Sequence, residues 1–301
     1  MRVLVLGCSG LIGHKLFDEL SCQLEMFGTL RRSKEEYGNV DLFQTDNVIE
    51  KVDINDFDLL TSYLESINPQ VILNCIGITK RKIGANDILE ALLTNSVFPH
   101  RLDDWAAENG KRVIHFSTDC VFDGSVGNYS EGSLTTAEDV YGRTKALGEI
   151  DYPHTLTIRS SFVGRELFSH TEILDWFLST KDDPIRGFSK ALYSGVSTIY
   201  MCRVILRLIL EYPNLSGLRQ LSIGNPITKF ELLSYAKRAF ETNAEIIPDN
   251  NFSIRPTLNG KLLSAEMGLC PPDWQSMMTE LASDPFVYPD LVNNNKPNGL
   301  S

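Results

Sequence analysis

The sequence predicts an α/β fold, a doubly wound parallel sheet followed by a smaller C-terminal α/β lobe. Three observations carry this. Short β-branched or leucine-rich runs alternate with amphipathic helical stretches through the first half of the chain. One run, PQVILNCIG, is apolar throughout, as in strands buried on both faces. A glycine-patterned turn joins the first run to the first helix.

In chain order, RVLVLG is the first strand, and the helical pattern behind it continues to Leu20. MFGTLRR and VIEKVDI are the second and third strands, and NDFDLLTSYLESI is an amphipathic helix. PQVILNCIG is the fourth strand, and a long helix is expected from Asn86 to Asn109. RVIHFSTD is the fifth strand. After a Gly-rich loop, a helix starts near Asp139 and stops before Pro153, and TLTIRSSFVG is the sixth strand. Beyond Gly164 the alternation loosens: EILDWFLST, STIYMCRVILRLIL and KFELLSYAKRAF are helical, with RQLSIG and AEIIP as short strands. The expected division is a unit over 1–164, a lobe mainly over 165–290 above the carboxyl edge of the sheet, and a polar tail over 291–301.

The chain has 301 residues, 43% apolar and 22% charged, the balance of a soluble globular protein. Its formal charge is −11, with no clustered basic stripe, which excludes nucleic acid as a partner. No apolar run approaches the roughly 20 residues that span a bilayer, so no membrane partner is expected. MRVLVLGCSG reads as a glycine-broken strand, not a signal peptide. Six cysteines are scattered without CxxC spacing, so neither a metal site nor a disulfide framework is expected. Reduced thiols in a cytoplasmic protein follow, and all but Cys120 read as small buried apolar residues.

Gly7-Cys8-Ser9-Gly10-Leu11-Ile12-Gly13 is GxxGxxG between a strand and a helix. Glycines there allow a tight turn and close backbone approach to a pyrophosphate, which helix N–H groups then face. About 20 residues on, where an acidic residue would hold a ribose 2′-hydroxyl, stand Arg31 and Arg32. A guanidinium suits a 2′-phosphate, so NADPH is the expected cofactor. Asp53, with Ile54, ends the third strand where the adenine would lie, and Cys75, Ile76 and Gly77 would pass beside the cofactor.

Tyr141 and Lys145 stand at i and i+4 on one helical face. A neighbouring cation is expected to favour the phenolate and bring the phenol toward its working range. Lys145 would also hydrogen-bond the nicotinamide ribose. Ser117-Thr118-Asp119 closes the fifth strand, so Thr118 can orient a substrate carbonyl beside Tyr141.

Together GxxGxxG, STD-x-VFDG from Ser117 to Gly124 and YGRTKALGE from Tyr141 to Glu149 resemble the Rossmann-fold extended short-chain dehydrogenases/reductases. Within that family the sequence is most similar to the dTDP-4-dehydrorhamnose reductases. The similarity continues through Arg159-Ser160-Ser161-Phe162 and Arg255-Pro256, so it covers nearly the whole chain. It implies Thr118, Tyr141 and Lys145 as catalytic groups, with Ser117, Asn95 and Ser161 at the cofactor. It also implies Asp119, Cys120, Phe162 and Arg255 at a sugar. The implied reaction is hydride transfer from NADPH to C4 of a nucleotide-linked 4-keto-6-deoxyhexose, with Tyr141 donating the proton.

Two departures bear on the substrate. The rhamnose enzymes carry a tyrosine where this chain has Cys120, so a UDP-linked 2-acetamido-2,6-dideoxy-4-hexulose fits as well as a dTDP sugar. Related 4,6-dehydratases carry a glutamate there, which disfavours dehydration. Bifunctional GDP-sugar epimerase/reductases place a cysteine at this position, so Cys120, with His170 as a partner, is an alternative acid/base. A second alternative is a non-enzymatic NADP-binding subunit, since the β subunit of methionine adenosyltransferase resembles the same reductases. The residues fix no oligomeric state; the superfamily's usual state implies a homodimer.

Overall fold

The computed structural model describes residues 1–38, 40–80, 87–180 and 184–288. β1 (Arg2–Leu6), α1 (Leu11–Leu20), β2 (Glu25–Thr29), β3 (Val48–Ile49), α2 (Phe57–Ile67) and β4 (Val71–Asn74) follow the expected alternation. The long helix after β4 is described from α3 (Ile88–Leu92) through a π-helical turn (Leu93–Val97) to α4 (Phe98–Glu108); its expected start at Asn86 lies outside the described residues. β5 (Arg112–Thr118), α5 (Val140–Leu147) and β6 (Thr155–Ser160) complete the expected first half.

Strand order in the main sheet runs through β3, β2, β1, β4, β5 and β6, every pair parallel. Side chains alternate across each strand, which explains why these runs are apolar throughout. Val3 and Val5 join Leu16, Phe17 and Leu20 of α1 on one face. Leu4 and Leu6 join Leu60 and Leu64 of α2, with Leu102 and Trp105 of α4, on the other. Each such leucine contributes about 1.5–3 kcal/mol by leaving water. The order reverses between β1 and β4, and the carboxyl ends of those strands open the crevice where ligands of doubly wound sheets sit.

The second half begins with β7 (Phe162–Val163), α6 (Ile173–Ser179), β8 (Ile185–Tyr193), β9 (Val196–Ser197) and α7 (Thr198–Leu210). It continues with β10 (Gly217–Gln220), β11 (Ile227–Thr228), α8 (Lys229–Ala239), β12 (Ile246–Ile254), α9 (Lys261–Met267) and α10 (Trp274–Ala282). β8 pairs with β11 and β12 in a small mixed sheet, and β7 pairs with β9. β10 does otherwise. This strand, which takes in the start of the RQLSIG segment read as a piece of the lobe, adds a seventh parallel strand to the main sheet beside β6. α7 packs on α1, and Asp284 reaches back to the buried Lys15 at 2.8 Å. Late residues therefore finish the first sheet. The polar tail expected over 291–301 lies outside the described residues.

Candidate functional site

The turn after β1 is shaped for backbone contact. Gly7 has φ +82°, a conformation open to glycine, and its N–H donates to Thr29 Oγ1 at 3.1 Å. A Cβ on Gly13 would lie 2.2 Å from the Gly7 carbonyl oxygen, so only glycine lets α1 sit this close to the turn. Gly10 is the N-cap of α1, with no side-chain cap and no acidic residue in the first turn. By contrast α2, α5, α7, α8 and α10 are each capped by an Asp, Ser or Thr side chain. The uncapped N–H groups, with the positive end of the helix dipole, suit a pyrophosphate, so the turn fits the expected dinucleotide. Ser9, Leu11 and Ile12 lie within this turn and the first helical turn.

Around it, Arg31 and Arg32 follow β2 as exposed side chains, and Arg31 Nη2 lies 3.1 Å from Glu90. Asp53 is exposed and holds an Asx-type turn, accepting from the Asn55 N–H at 2.9 Å, while Ile54 packs against the core. Cys75, Ile76 and Gly77 leave β4 across the crevice, with Gly77 facing the Asn95 amide and Lys145 Nζ. Asn95, in the π turn, is buried and fully used. It accepts from the Ile78 N–H at 2.8 Å and donates to the Ile78 carbonyl and Thr144 Oγ1. It thereby ties the β4 loop to α5.

The reactive end forms where β5 meets α5. Asp139 caps α5 through the Gly142 N–H at 3.0 Å. A Cβ on Gly142 would lie 2.2 Å from the Cys120 carbonyl oxygen, so glycine allows the helix to close on the turn after β5. That closure brings the Tyr141 phenol beside Thr118, whose hydroxyl is near enough to influence its protonation. Thr118 Oγ1 also donates to Asp119 at 3.2 Å and accepts from the Cys120 N–H at 3.1 Å. Lys145 is buried and donates to the Phe116 carbonyl at 2.7 Å.

Protonation departs from the sequence expectation. Burial raises the Tyr141 phenol well above its ordinary value, and nearby Cys120 and Asp119 add to the rise. Burial also lowers Lys145 from 10.5 to about 8. The cation expected to favour the phenolate is thus itself desolvated, and Tyr141 holds its proton firmly. A phenol in that state is a proton donor. Asp119 is pushed up to about 6 by burial, and Cys120 to about 12 by burial and the Asp119 charge. A thiol so held keeps its proton at neutral pH. His170 lies with Nδ1 3.6 Å from Asp175, and among the described residues no hydrogen bond joins it to Cys120.

Other expected residues fall as follows. Ser117 points to the opposite face of β5 from Thr118, its hydroxyl 2.6 Å from Glu149, which also pairs with Arg159. Phe162 meets Phe116 edge-on at 6.0 Å, and the Ser161 carbonyl accepts from the Val196 N–H. Arg255 is exposed, and among the described residues its guanidinium meets the Ser125 carbonyl at 3.5 Å. Sequence reasoning missed three residues. Tyr193 is buried against Ser161, faces Asp119 and Cys120 as Tyr141 does, and among the described residues its hydroxyl makes no well-formed hydrogen bond. Asn74 and His115 lie fully buried beneath Lys145. Polar residues inside the apolar strands VILN and RVIHFST were the available signal. Among the described residues, no helix is long and apolar enough to cross a membrane, and no cluster of acidic, His or Cys residues is placed to hold a metal ion.

The β subunit of methionine adenosyltransferase 2 from Xenopus tropicalis is 27% identical over 254 residues, 79% of this chain and 72% of that one. The dTDP-4-dehydrorhamnose reductase of Aggregatibacter actinomycetemcomitans is 28% identical over 149 residues, 49% of this chain and 45% of that one. The alignment with the reductase thus spans less than half of that enzyme. The crystal structure of dTDP-4-dehydrorhamnose reductase from Bacillus anthracis in complex with NADP shares the fold. Its TM-score is 0.76 at 18% identity, covering 93% of this chain and 98% of that one. Residues 1–164, which carry the glycine turn, Thr118, Tyr141 and Lys145, match the RmlD substrate binding domain, and the chain belongs to that family.

Proposed function

We propose that the protein is an NADPH-dependent oxidoreductase that reduces the C4 ketone of a nucleotide-linked 4-keto-6-deoxyhexose. The observation that carries this reading is Tyr141 beside Thr118 at the carboxyl edge of the sheet, with the buried Lys145 one turn further along α5 facing Gly77, in a chain whose α1 N-terminus is uncapped. Gly7, Gly10 and Gly13 admit the pyrophosphate, and Arg31 and Arg32 take the 2′-phosphate, Arg31 by releasing Glu90. The bound cofactor supplies the hydride. Thr118 orients the carbonyl, and Tyr141, a firmly protonated phenol, donates its proton to the forming alkoxide. Lys145 holds the ribose and replenishes that proton. Asp119, Cys120, Phe162, Tyr193 and Arg255 line the sugar side; the small Cys120 side chain suits a bulky 2-substituent, as on a UDP-linked 2-acetamido sugar. On this reading residues 1–164 bind chiefly cofactor and the later lobe chiefly the sugar nucleotide.

A second reading draws on the longer alignment with the methionine adenosyltransferase β subunit: a protein that binds NADPH and serves a partner without turnover. The retained Thr118, Tyr141 and Lys145 favour the enzyme. NADPH oxidation followed across dTDP-, UDP- and GDP-linked 4-keto-6-deoxy sugars decides between them. Turnover with one nucleotide class and a single C4 epimer by NMR is the expected result. Tight NADPH binding with no turnover on any sugar favours the binding subunit.

A further inference from the structure

Beneath Lys145 lies a chain of polar groups that the proposed chemistry does not by itself require. Asn74 closes β4, and His115 stands beside it on β5; both are fully buried. The Ile76 N–H donates to Asn74 Oδ1 at 3.2 Å, which fixes the orientation of the amide. Flipping it would set two N–H groups against each other. The Asn74 amide nitrogen therefore donates, and it points to His115 Nδ1 at 3.1 Å. A neutral imidazole whose Nδ1 accepts carries its proton on Nε2. His115 is neutral, because burial and the Lys145 charge lower its pKa well below the ordinary value. Its Nε2 faces Lys145 Nζ at 3.5 Å.

An N–H aimed at an ammonium is unfavourable, whereas the same N–H aimed at a neutral amine is satisfied by the amine lone pair. We propose that Asn74 and His115 act as positioning residues, holding a proton on Nε2 so that Lys145 is a proton-exchanging amine instead of a permanent ammonium. The remaining surroundings of Lys145 divide. Glu149, on the segment leaving α5, favours the ammonium, as does Cys75 at the end of β4 when ionised. The Phe116 carbonyl accepts a hydrogen bond from Lys145 in either state. Tyr141 lies one turn earlier on α5, Asn95 and Gly77 present neutral groups, and His100 acts on His115 from α4. Glu149 is occupied by Arg159 and Ser117, which spends much of its charge elsewhere. His115 is thus the neighbour on β5 whose Nε2–H adds to the effect of burial on Lys145. A lysine in this state can accept a proton from solvent and pass one toward Tyr141 after each turnover. The inference rests on the reductase reading for its use, but not for its observation.

The test reads protons directly. In protein labelled with [15N]histidine, the long-range 1H–15N spectrum of His115 shows the Nε2–H tautomer across pH 6–8. The Nδ1–H tautomer, or an imidazolium at neutral pH, overturns the proposal. In protein labelled with [13C]lysine, assigned with Lys145→Arg, the Lys145 Cε resonance titrates near pH 8 in the wild type. Asn74→Leu frees His115 to present Nε2 as an acceptor, and the midpoint rises by one unit, a change of about tenfold in free amine at pH 7. An unchanged midpoint in Asn74→Leu also overturns it. Should Asn74→Leu fail to fold, the wild-type histidine spectrum still decides. Absence of turnover on every sugar, with the expected spectra intact, fails the reductase reading alone.

Discussion

The two ends of the crevice are built on opposite principles. At the α1 end the working groups are backbone N–H donors, and the decisive side chains are missing ones: Gly7 and Gly13 succeed by having no Cβ, and Gly10 by offering no side-chain cap. At the α5 end the working groups are buried and ionisable: burial dominates the protonation of Asp119, Cys120, Tyr141 and Lys145, and Asp119 and Cys120 also act on each other and on Tyr141. The first end is a matter of shape and is insensitive to pH. The second is a matter of desolvation. Shape mutations should therefore strike binding and stability together, while charge mutations should separate activity from stability.

The largest expected effect lies at the charged end. Tyr141→Phe removes the proton donor and leaves ring packing and cofactor cradle in place. Turnover should fall by roughly a hundredfold to ten-thousandfold, with NADPH affinity and melting temperature unchanged. Wild-type turnover in that variant would remove Tyr141 as the acid.

At the shape end, Gly13→Ala sets a Cβ 2.2 Å from the Gly7 carbonyl oxygen. Relief requires α1 to shift, at about 1–3 kcal/mol for such overpacking. Thermal unfolding and NADPH titration should both weaken, by amounts that do not change between pH 6 and 9. Loss of binding at full stability would break the comparison.

Asp119 sharpens it from the other side. Its folded pKa of about 6 lies above the ordinary 3.8, so the native state binds the proton more tightly than the unfolded chain. Stability is therefore highest below pH 3.8, as far as this group is concerned, and is lost as pH rises through 6. Asp119→Asn keeps an acceptor for Thr118 and removes the buried charge. It should stabilise the protein at pH 7, by up to about 3 kcal/mol from a shift of this size, and by nothing at pH 3. Urea unfolding at the two pH values measures this, and a gain equal at both would sink the desolvation account.

The smallest effect is at the rim. Arg31 is 74% exposed and pairs with Glu90, so the 2′-phosphate must compete with water and with that carboxylate. Arg31→Ala should weaken NADPH binding by about tenfold, a charged hydrogen bond's worth, and leave NADH binding nearly unchanged. Equal losses for both cofactors would place Arg31 away from the 2′-phosphate.

Much of the first half was legible in the sequence because its signals are local. Strand runs, the glycine turn, the Asp139 cap and the i, i+4 pairing of Tyr141 and Lys145 are each fixed within a few residues. Other features depend on partners distant in the chain. RQLSIG carries nothing that says it will pair with β6 and not with the lobe; that depends on α7 packing against α1. Tyr193 approaches Ser161 from a strand later in the chain, and a tyrosine in an apolar run reads as core.

The sequence by itself determined that there would be a parallel sheet, a turn with room for a pyrophosphate, and a phenol and an amine on one helical face. Those follow from side-chain volume and helical or strand periodicity, which are properties of neighbours in the chain. Only the tertiary structure decided which protons those groups hold. Burying Tyr141 against Thr118 and Cys120, and Lys145 over His115 and Asn74, sets the cost of charge at each site, and that cost depends on what surrounds a residue in space.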